Sequence, residues 1–164
     1  MDEALYRVMS RRLLYGWQGL ATRVDLAVLQ AVEEGWYATR SAIADDIDCK
    51  EVRLAIAVQR DGALLMREGR AFTLVAIGPE HSGLAALKRL ARSTAEAFAQ
   101  AALPSVELAG YWHDDRHPEL RRVFALIYRA RPAQPLPDAQ WAGSEALSAD
   151  PLAPLFAPAF FGAA

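Results

Sequence analysis

A change of hydrophobic periodicity at residue 52 constrains the fold of this 164-residue chain more than any other feature. From Val52 to Gln59, bulky apolar residues alternate with small or polar ones. A period of two is typical of a β-strand and not of a helix. Asp61 and Gly62 follow directly, and this pair favours a tight hairpin reversal. We therefore predict that a β-sheet begins here, with strands over 52–59, 63–66 and 71–77.

The residues after this meander predict a mixed α/β domain. Apolar residues spaced by three and four indicate one long helix over 84–102, which Pro104 ends. Two further strands are expected over 106–112 and 122–130, followed by a short helix near 144–148. The side chains expected to form the core are Ile56, Leu65, Phe72, Leu90, Phe124, Leu126 and Trp141.

The first 50 residues predict helices instead, because their apolar residues recur near helical spacing. The helices are expected over 3–16, 24–34 and 40–48. Gly35 is placed to end the second helix, and Thr39 to cap the third. We expect a helical, helix-turn-helix-like extension over 1–50 in front of a domain over 51–164. Because about fifty residues in short helices can hardly bury a core, the extension should pack on the domain or form a homodimer with a second copy.

The composition excludes several classes of protein. Apolar residues make up 53% of the chain and charged residues 23%, as in a soluble globular domain. Cys49 is the only cysteine, which excludes an intrachain disulfide and a cysteine-rich zinc site. No apolar run approaches the roughly 20 residues of a membrane span, and the first residues lack a signal-peptide pattern. We expect a cytoplasmic protein, and its net charge of −2 favours neither nucleic acid nor membranes as partners.

The order of elements resembles the Nudix hydrolase superfamily over about residues 52–164. "VRLAIAVQRDGALLMREGRAFTL" is similar to the opening strands of that family. "VELAGYW" followed by "HPELRRVFALIYRARP" resembles the segment after its signature helix, and "AQWAGSEAL" resembles its late strand. The resemblance implies an α/β fold, an α/β/α sandwich with a mixed sheet.

The signature helix of that family is degenerate in this sequence. Its glutamates hold Mg²⁺ or Mn²⁺ against a diphosphate, and the metal activates water. The corresponding segment is "AALKRLARSTAEAF", in which Arg89 stands at the first glutamate and Arg92 and Ser93 at the glutamate pair. A guanidinium cannot ligate a metal and repels it. We therefore expect no hydrolysis, no metal and no cofactor, although a divergent phosphohydrolase remains a lesser alternative.

The cations of this helix could bind phosphate directly. Residues 84–131 hold eight basic and five acidic residues, a local excess of +3 in an acidic protein. Arginine and lysine hold phosphate without a metal, although a solvated helix face explains the same residues. The resemblance places the polar loop after residue 112 at the substrate groove. The residues predicted to bind ligand are Lys88, Arg89, Arg92, His113, Arg116 and His117.

Two roles follow from these observations. The preferred role is a catalytically silent Nudix-like domain that senses a nucleotide or another phosphate ligand, or that binds a protein partner. The alternative is a winged-helix DNA-binding regulator over residues 24–77, with a recognition helix starting near Val52 and a wing at Met66–Leu74. The conformation of residues 50–62 separates the two, because the Nudix-like reading needs a strand there and the winged helix needs a helix.

Overall fold

A computed structural model of the protein describes residues 3–14 and 18–161. The strands are β1 Tyr6–Ser10, β2 Gly19–Ala21, β3 Trp36–Ala38, β4 Cys49–Arg60, β5 Ala63–Met66, β6 Thr73–Ala76, β7 Ser105–His113, β8 Val123–Arg131 and β9 Gln140–Ala142. The helices are α1 Leu26–Glu33, α2 Arg40–Ile43, α3 Leu84–Ala99, α4 Ala153–Phe156 and α5 Pro158–Phe161, with 3-10 turns at Arg11–Leu14 and Ser144–Ala146. No helix in these ranges is both long and apolar enough to cross a bilayer.

The long strand β4 is the centre of a mixed sheet. The main order is β2-β7-β8-β4-β1-β3, and β8 runs parallel to β4. The other described strand pairs are antiparallel. The middle of β4 also pairs with β6, and its end pairs with β5, which continues to β9. A close approach fixes one glycine in this sheet, because a Cβ at Gly110 would collide with the carbonyl oxygen of Ala21 on the neighbouring strand β2.

The alternation of side chains along β4 separates two hydrophobic cores. Its larger residues, Val52 to Val58 in steps of two, pack with α1 and α3 on one face. Ala55 and Ala57 point to the other face, where Phe156 of α4 and Phe160 of α5 pack. Because side chains alternate across a strand, the period of two in the sequence places successive side chains of β4 in the two different cores. The result is a mixed sheet between two helical layers, the α/β/α sandwich that the sequence predicts.

The amphipathic pattern of α3 explains why it covers the sheet. Leu87, Ala91, Ala95 and Ala99 recur every four residues and are at most 3% exposed. Such spacing places them on one face of the helix, and the small alanine side chains let the helix approach the sheet closely. The helix ends at Gln100, whose φ of 55° is left-handed and whose N–H bonds back to Glu96 O. The predicted long helix is therefore confirmed, three residues shorter than expected.

Most of the predicted core is buried. Ile56, Leu65, Phe72, Phe124 and Leu126 are at most 2% exposed. The other two predicted core residues, Leu90 and Trp141, are partly buried and pack against the core from its edge.

The prediction of a helix over residues 3–16 is wrong for residues 6–14, and residues 15 and 16 lie outside the described part of the chain. Residues 6–10 form β1, which pairs with both β3 and β4, and Arg11–Leu14 form only a 3-10 turn. Short apolar runs do not distinguish a helix from a buried strand, and here the free edge of β4 provides hydrogen-bond partners. A helical N-terminal extension is therefore not evident. The second predicted helix is confirmed as α1, whereas the predicted domain division at residue 50 falls inside β4.

The third predicted helix, over 40–48, is only one turn long. It stops at Ile43 because aspartates follow that favour turns over helix, and Asp46 Oδ1 accepts from the backbone N–H of Asp48 at 2.9 Å. Residues 49–60 then form β4 rather than a recognition helix. The winged-helix alternative is therefore not favoured, because its proposed DNA-reading element is the central strand of the sheet.

Truncation of Phe124 tests this core. Phe124 is fully buried between α3 and the sheet, so Phe124→Ala should lower the free energy of unfolding by about 3–5 kcal/mol. Urea unfolding followed by circular dichroism measures the loss. Phe161→Ala is the matched control, because that ring is only partly buried and should cost less. Equal losses in the two variants would contradict the assigned core.

Candidate functional site

A groove runs along α3, between this helix and β6. Two adjoining clefts form it, of about 550 and 870 Å³, and both are lined by Thr73, Ala97 and Phe98. The narrower cleft adds Ser93 and Thr94 of the helix. The wider cleft is bounded by the turn between β5 and β6 and by chain before and after β9. We call the whole depression the α3 groove.

Three cations predicted to bind ligand lie on α3. Lys88, Arg89 and Arg92 are exposed, and none of them makes a hydrogen bond or ion pair with another described residue. Arg89 precedes Ser93 by four residues and Ala97 by eight, so it shares a helix side with these two groove residues. Arg92, three residues after Arg89, is its neighbour on the helix surface. Arg89 therefore stands at the N-terminal end of the groove, with the other two cations beside it.

The wall opposite α3 carries two further arginines on a tight turn. Glu68 and Gly69 have φ values of 53° and 77°, as the two central residues of a type I′ hairpin require. Arg67 and Arg70 flank them and exchange backbone hydrogen bonds of 2.9 and 3.0 Å. Arg67 Nη2 also donates to Ala99 O at 3.1 Å. This bond places a guanidinium against the C-terminal end of α3, where free carbonyls carry partial negative charge.

The buried acid of the groove is already engaged by backbone groups. Asp150 is 1% exposed, and its Oδ2 accepts from the N–H groups of Ala71 and Phe72 at 2.8 and 2.9 Å. Its Oδ1 accepts from Leu152 N at 2.9 Å. Three such bonds stabilise the carboxylate and fix the chain after β9 to the residues before β6. Asp150 therefore shapes the wall of the groove rather than offering a free ligand.

The side chains of the groove do not fit a divalent metal. Mg²⁺ needs carboxylate oxygens, whereas guanidinium groups stand at two of the positions that the family resemblance suggests. Glu96, the acid carried by α3, uses its Oε2 to accept from Leu103 N at 3.0 Å. Within residues 3–14 and 18–161, no group of three or more His, Cys, Asp or Glu side chains could hold a metal ion.

His113, at the end of β7, lies in a buried polar cluster. It is 0% exposed, and its Nδ1 lies 3.1 Å from the Nζ of Lys50, which is 1% exposed. Burial and the neighbouring lysine lower the pKa of His113 to about 4. Burial likewise lowers the pKa of Lys50, although its bond to Asp115 opposes that change. His113 is therefore a neutral, interior group at neutral pH.

Asp115 joins three segments that are distant in sequence. Its Oδ1 lies 2.8 Å from Lys50 Nζ. Its Oδ2 accepts from Arg11 Nε at 3.0 Å and from Gln18 Nε2 at 2.8 Å. The hydrogen bond from Arg11, together with the hydrogen bond and positive charge of Lys50, holds the pKa of the Asp115 carboxyl well below its usual range. The sequence does not reveal this cluster, because contacts between residues that are 63 to 104 positions apart leave no local pattern.

Arg116 and His117, the other two loop residues predicted to bind ligand, make their polar contacts within the loop. Arg116 Nε pairs with Asp114 Oδ1 at 2.9 Å, two residues away. His117 Nδ1 accepts from the backbone N–H of Leu120 at 2.9 Å. Within the described chain, no hydrogen bond or ion pair joins the loop residues to the cations of α3. The structure thus gathers the six predicted ligand residues in two separate groups.

Replacing His113 should remove a pH dependence of stability. Its pKa is about 4 in the folded protein and near 6.5 in an unfolded chain, so the unfolded state takes up the proton first as pH falls. The contribution of neutral His113 to the free energy of unfolding is fully present above pH ~6.5. It is lost toward pH 4, at up to about 1.4 kcal/mol per pH unit. Urea unfolding between pH 7 and pH 4 should give a shallower slope for His113→Gln.

The control for this measurement is Ser82→Ala, which removes an exposed hydroxyl and no titratable group. It should keep the wild-type slope. A wild-type slope in the His113→Gln variant as well would show that this imidazole does not stay neutral in the interior.

Comparison with known proteins bears on the fold. The sequence matches no protein-family model and no curated protein. Among solved structures it is similar to the crystal structure of Tm1382, "a putative Nudix hydrolase". The TM-score is 0.64 at 12% sequence identity, and the match covers 86% of this chain and 86% of that chain. An identity this low supports the fold and says nothing of activity. The protein therefore has a Nudix-like fold.

Proposed function

We propose that this protein is a catalytically silent Nudix-like domain that binds a phosphate-bearing small molecule in the α3 groove and acts as a ligand sensor. One observation carries the proposal. Arg89 and Arg92 are exposed and, among the described residues, unpaired, on the helix where the resemblance expects metal-binding glutamates. Cations in place of carboxylates reverse the charge of the site. A phosphate group can then be bound directly, without a bridging metal.

The groove offers complementary groups along its length. Arg89 beside the groove and Arg70 on the wall opposite α3 can each present two N–H donors to a phosphate, whereas Arg67 already donates to Ala99 O. The partly buried ring of Phe98 lines both clefts of the groove and can pack against an apolar or aromatic part of the ligand. A nucleoside diphosphate combines both kinds of group, so we take it as the model ligand.

The three loop residues predicted to bind ligand are less available to a ligand than the cations of α3. Arg116 and His117 are held by their own loop, and His113 is buried beside Lys50. The binding role predicted for them therefore requires the loop to rearrange, whereas the cations of α3 are available as they stand.

A protein partner remains the other role that the sequence suggests, and one observation favours it. The large apolar side chains that are exposed in the described chain all belong to its first third. They are Leu5, Leu13, Leu26, Trp36 and Ile47. Exposed apolar groups of this size are common at interaction surfaces.

The first test concerns catalysis. We expect no Mg²⁺- or Mn²⁺-stimulated release of phosphate from dinucleotides, nucleotide sugars or nucleoside triphosphates, because cations stand where metal ligands are needed. A phosphate-release assay with each metal measures this. Turnover that disappears in Glu80→Gln or Glu96→Gln would show instead that a divergent hydrolase is at work.

The second test concerns binding. Calorimetric titration with ADP should give an affinity that falls as salt rises, because screening weakens exposed charge pairs beyond roughly 8 Å. The affinity should not change when a chelator is added. Arg89→Glu should abolish binding and leave the thermal midpoint nearly unchanged, as expected at a surface position.

The matched control is Arg23→Glu, an equal charge reversal at an exposed arginine away from the groove. It should bind ADP as the wild type does. Equal affinity for ADP in Arg89→Glu and Arg23→Glu would contradict the proposal and show that the α3 cations are an ordinary solvated helix face.

A further inference from the structure

A second cleft opens at the carboxyl ends of β4 and β8. The two strands run side by side up to Val58 and Ala130. Beyond this point β4 enters the hairpin at Asp61, and β8 continues into the loop that begins at Pro132. Because the chains diverge, a cleft of about 470 Å³ lies between them. In open α/β sheets, ligands bind in crevices of this kind.

Arginine dominates the lining of this cleft. Arg60 is the last residue of β4, and Arg129 and Arg131 belong to the end of β8. Gln59 and Phe160 complete its inner wall. We call it the arginine cleft; it shares no lining residue with the α3 groove.

The positive charge of the arginine cleft exceeds what nearby acids neutralise. Arg129 Nη1 and Arg131 Nη2 share a single oxygen, Oε1 of Glu107, at 3.2 and 3.3 Å. Arg60 Nε lies 3.7 Å from Asp61 Oδ2, and the Asp61 side chain is 87% exposed, so water screens this pair. Three guanidinium groups therefore face two carboxylates, both of them half-exposed or more.

The wall of the cleft is fixed in place without any ligand. Arg129 Nη2 donates to Ala159 O at 3.0 Å, and its guanidinium lies 5.2 Å from the ring centre of Phe160. Gln59 Nε2 donates to Phe160 O at 2.8 Å, which ties α5 to the end of β4. Groups that are already fixed lose little conformational entropy on binding. The cleft is thus preorganised on its inner wall.

The outer arginines keep hydrogen-bond donors available. Arg131 is about half exposed and forms an ion pair with Glu107 alone. Neither Arg131 nor Arg60 makes a side-chain hydrogen bond within the described chain. Each guanidinium carries five N–H donors in a planar fork that matches phosphate and carboxylate oxygens. The two side chains come from two different strands, so together they can hold neighbouring oxyanion groups of one molecule.

We propose that the arginine cleft binds a compact polyanion, a small molecule with clustered phosphate or carboxylate groups. Arg60 and Arg131 bind the oxyanions, and Arg129 supplies the fixed positive charge behind them. The site is independent of the function proposed for the α3 groove.

Titration with two anions tests whether the arginine cleft prefers phosphate or carboxylate groups. The full chain is titrated with inorganic pyrophosphate and, in parallel, with citrate at constant ionic strength, while ¹H–¹⁵N NMR spectra report the position of binding. Gly62 lines the cleft, so its amide resonance should shift saturably with at least one probe. The probe that binds more tightly identifies the preferred oxyanion, and either preference supports the site.

Variants locate the binding groups. The double variant Arg60→Ala with Arg131→Ala should weaken binding by about a hundredfold or more, since a hydrogen bond to a charged group is lost at each of the two positions. Arg129 is left in place because it bridges β8 to α5, and an unchanged spectrum away from the cleft shows that the variant is folded. Arg121→Ala removes an exposed arginine elsewhere and should bind as the wild type does.

Two outcomes would overturn the proposal: no saturable shift of Gly62 with either anion, or a Gly62 shift that saturates with wild-type affinity in the double variant. Arg89→Glu distinguishes this site from the α3 groove and should leave the Gly62 shifts unchanged. Shifts that are confined to α3 amides and are lost in Arg89→Glu would contradict binding at the arginine cleft and would support binding in the α3 groove.

Discussion

The parallel pairing of β4 with β8 is the interaction on which the rest of the structure depends. It runs from Glu51 opposite Val123 to Val58 opposite Ala130. A parallel pair in the middle of a sheet needs cover on both faces. The bulky residues of β4 take the face beneath α3, together with Phe124, Leu126 and Tyr128 of β8. The face beneath the C-terminal helices takes Ala55 and Ala57 of β4 together with Ala125 and Ile127 of β8. The arginine cleft has the same origin, because it opens where these two strands stop pairing.

The amino end of β4 is held by charges instead of apolar contacts. Lys50 and Glu51 are successive residues of one strand, and both are almost fully buried. Lys50 pairs with Asp115, while Glu51 accepts from Arg40 Nε and Arg53 Nε at 2.8 Å each. Only one member of each pair is almost fully buried, and that member needs its partner, because a buried charge without a counter-charge is destabilising. These pairs therefore fix how the first 50 residues attach to the sheet.

The two basic clefts differ in how their charge is arranged. On α3 the cations are exposed and unpaired with described residues, so a ligand must order flexible side chains when it binds. In the arginine cleft, Arg129 is fixed by a carbonyl oxygen and an aromatic ring. Because the whole chain carries a net charge of −2, the positive charge of each cleft is a local feature.

The sequence by itself determined the elements whose pattern is local. Alternation from Val52 onward predicted β4, apolar residues spaced by three and four predicted α3, and the cations of α3 were visible in the sequence. Tertiary structure decided whatever depends on partners distant in the chain. Residues 6–10 became a strand because β4 offered an unpaired edge, and His113 became an interior group because Lys50 and Asp115 meet it there. Periodicity records which face of an element is apolar. It carries no information on which distant segment will supply a hydrogen bond or a counter-charge.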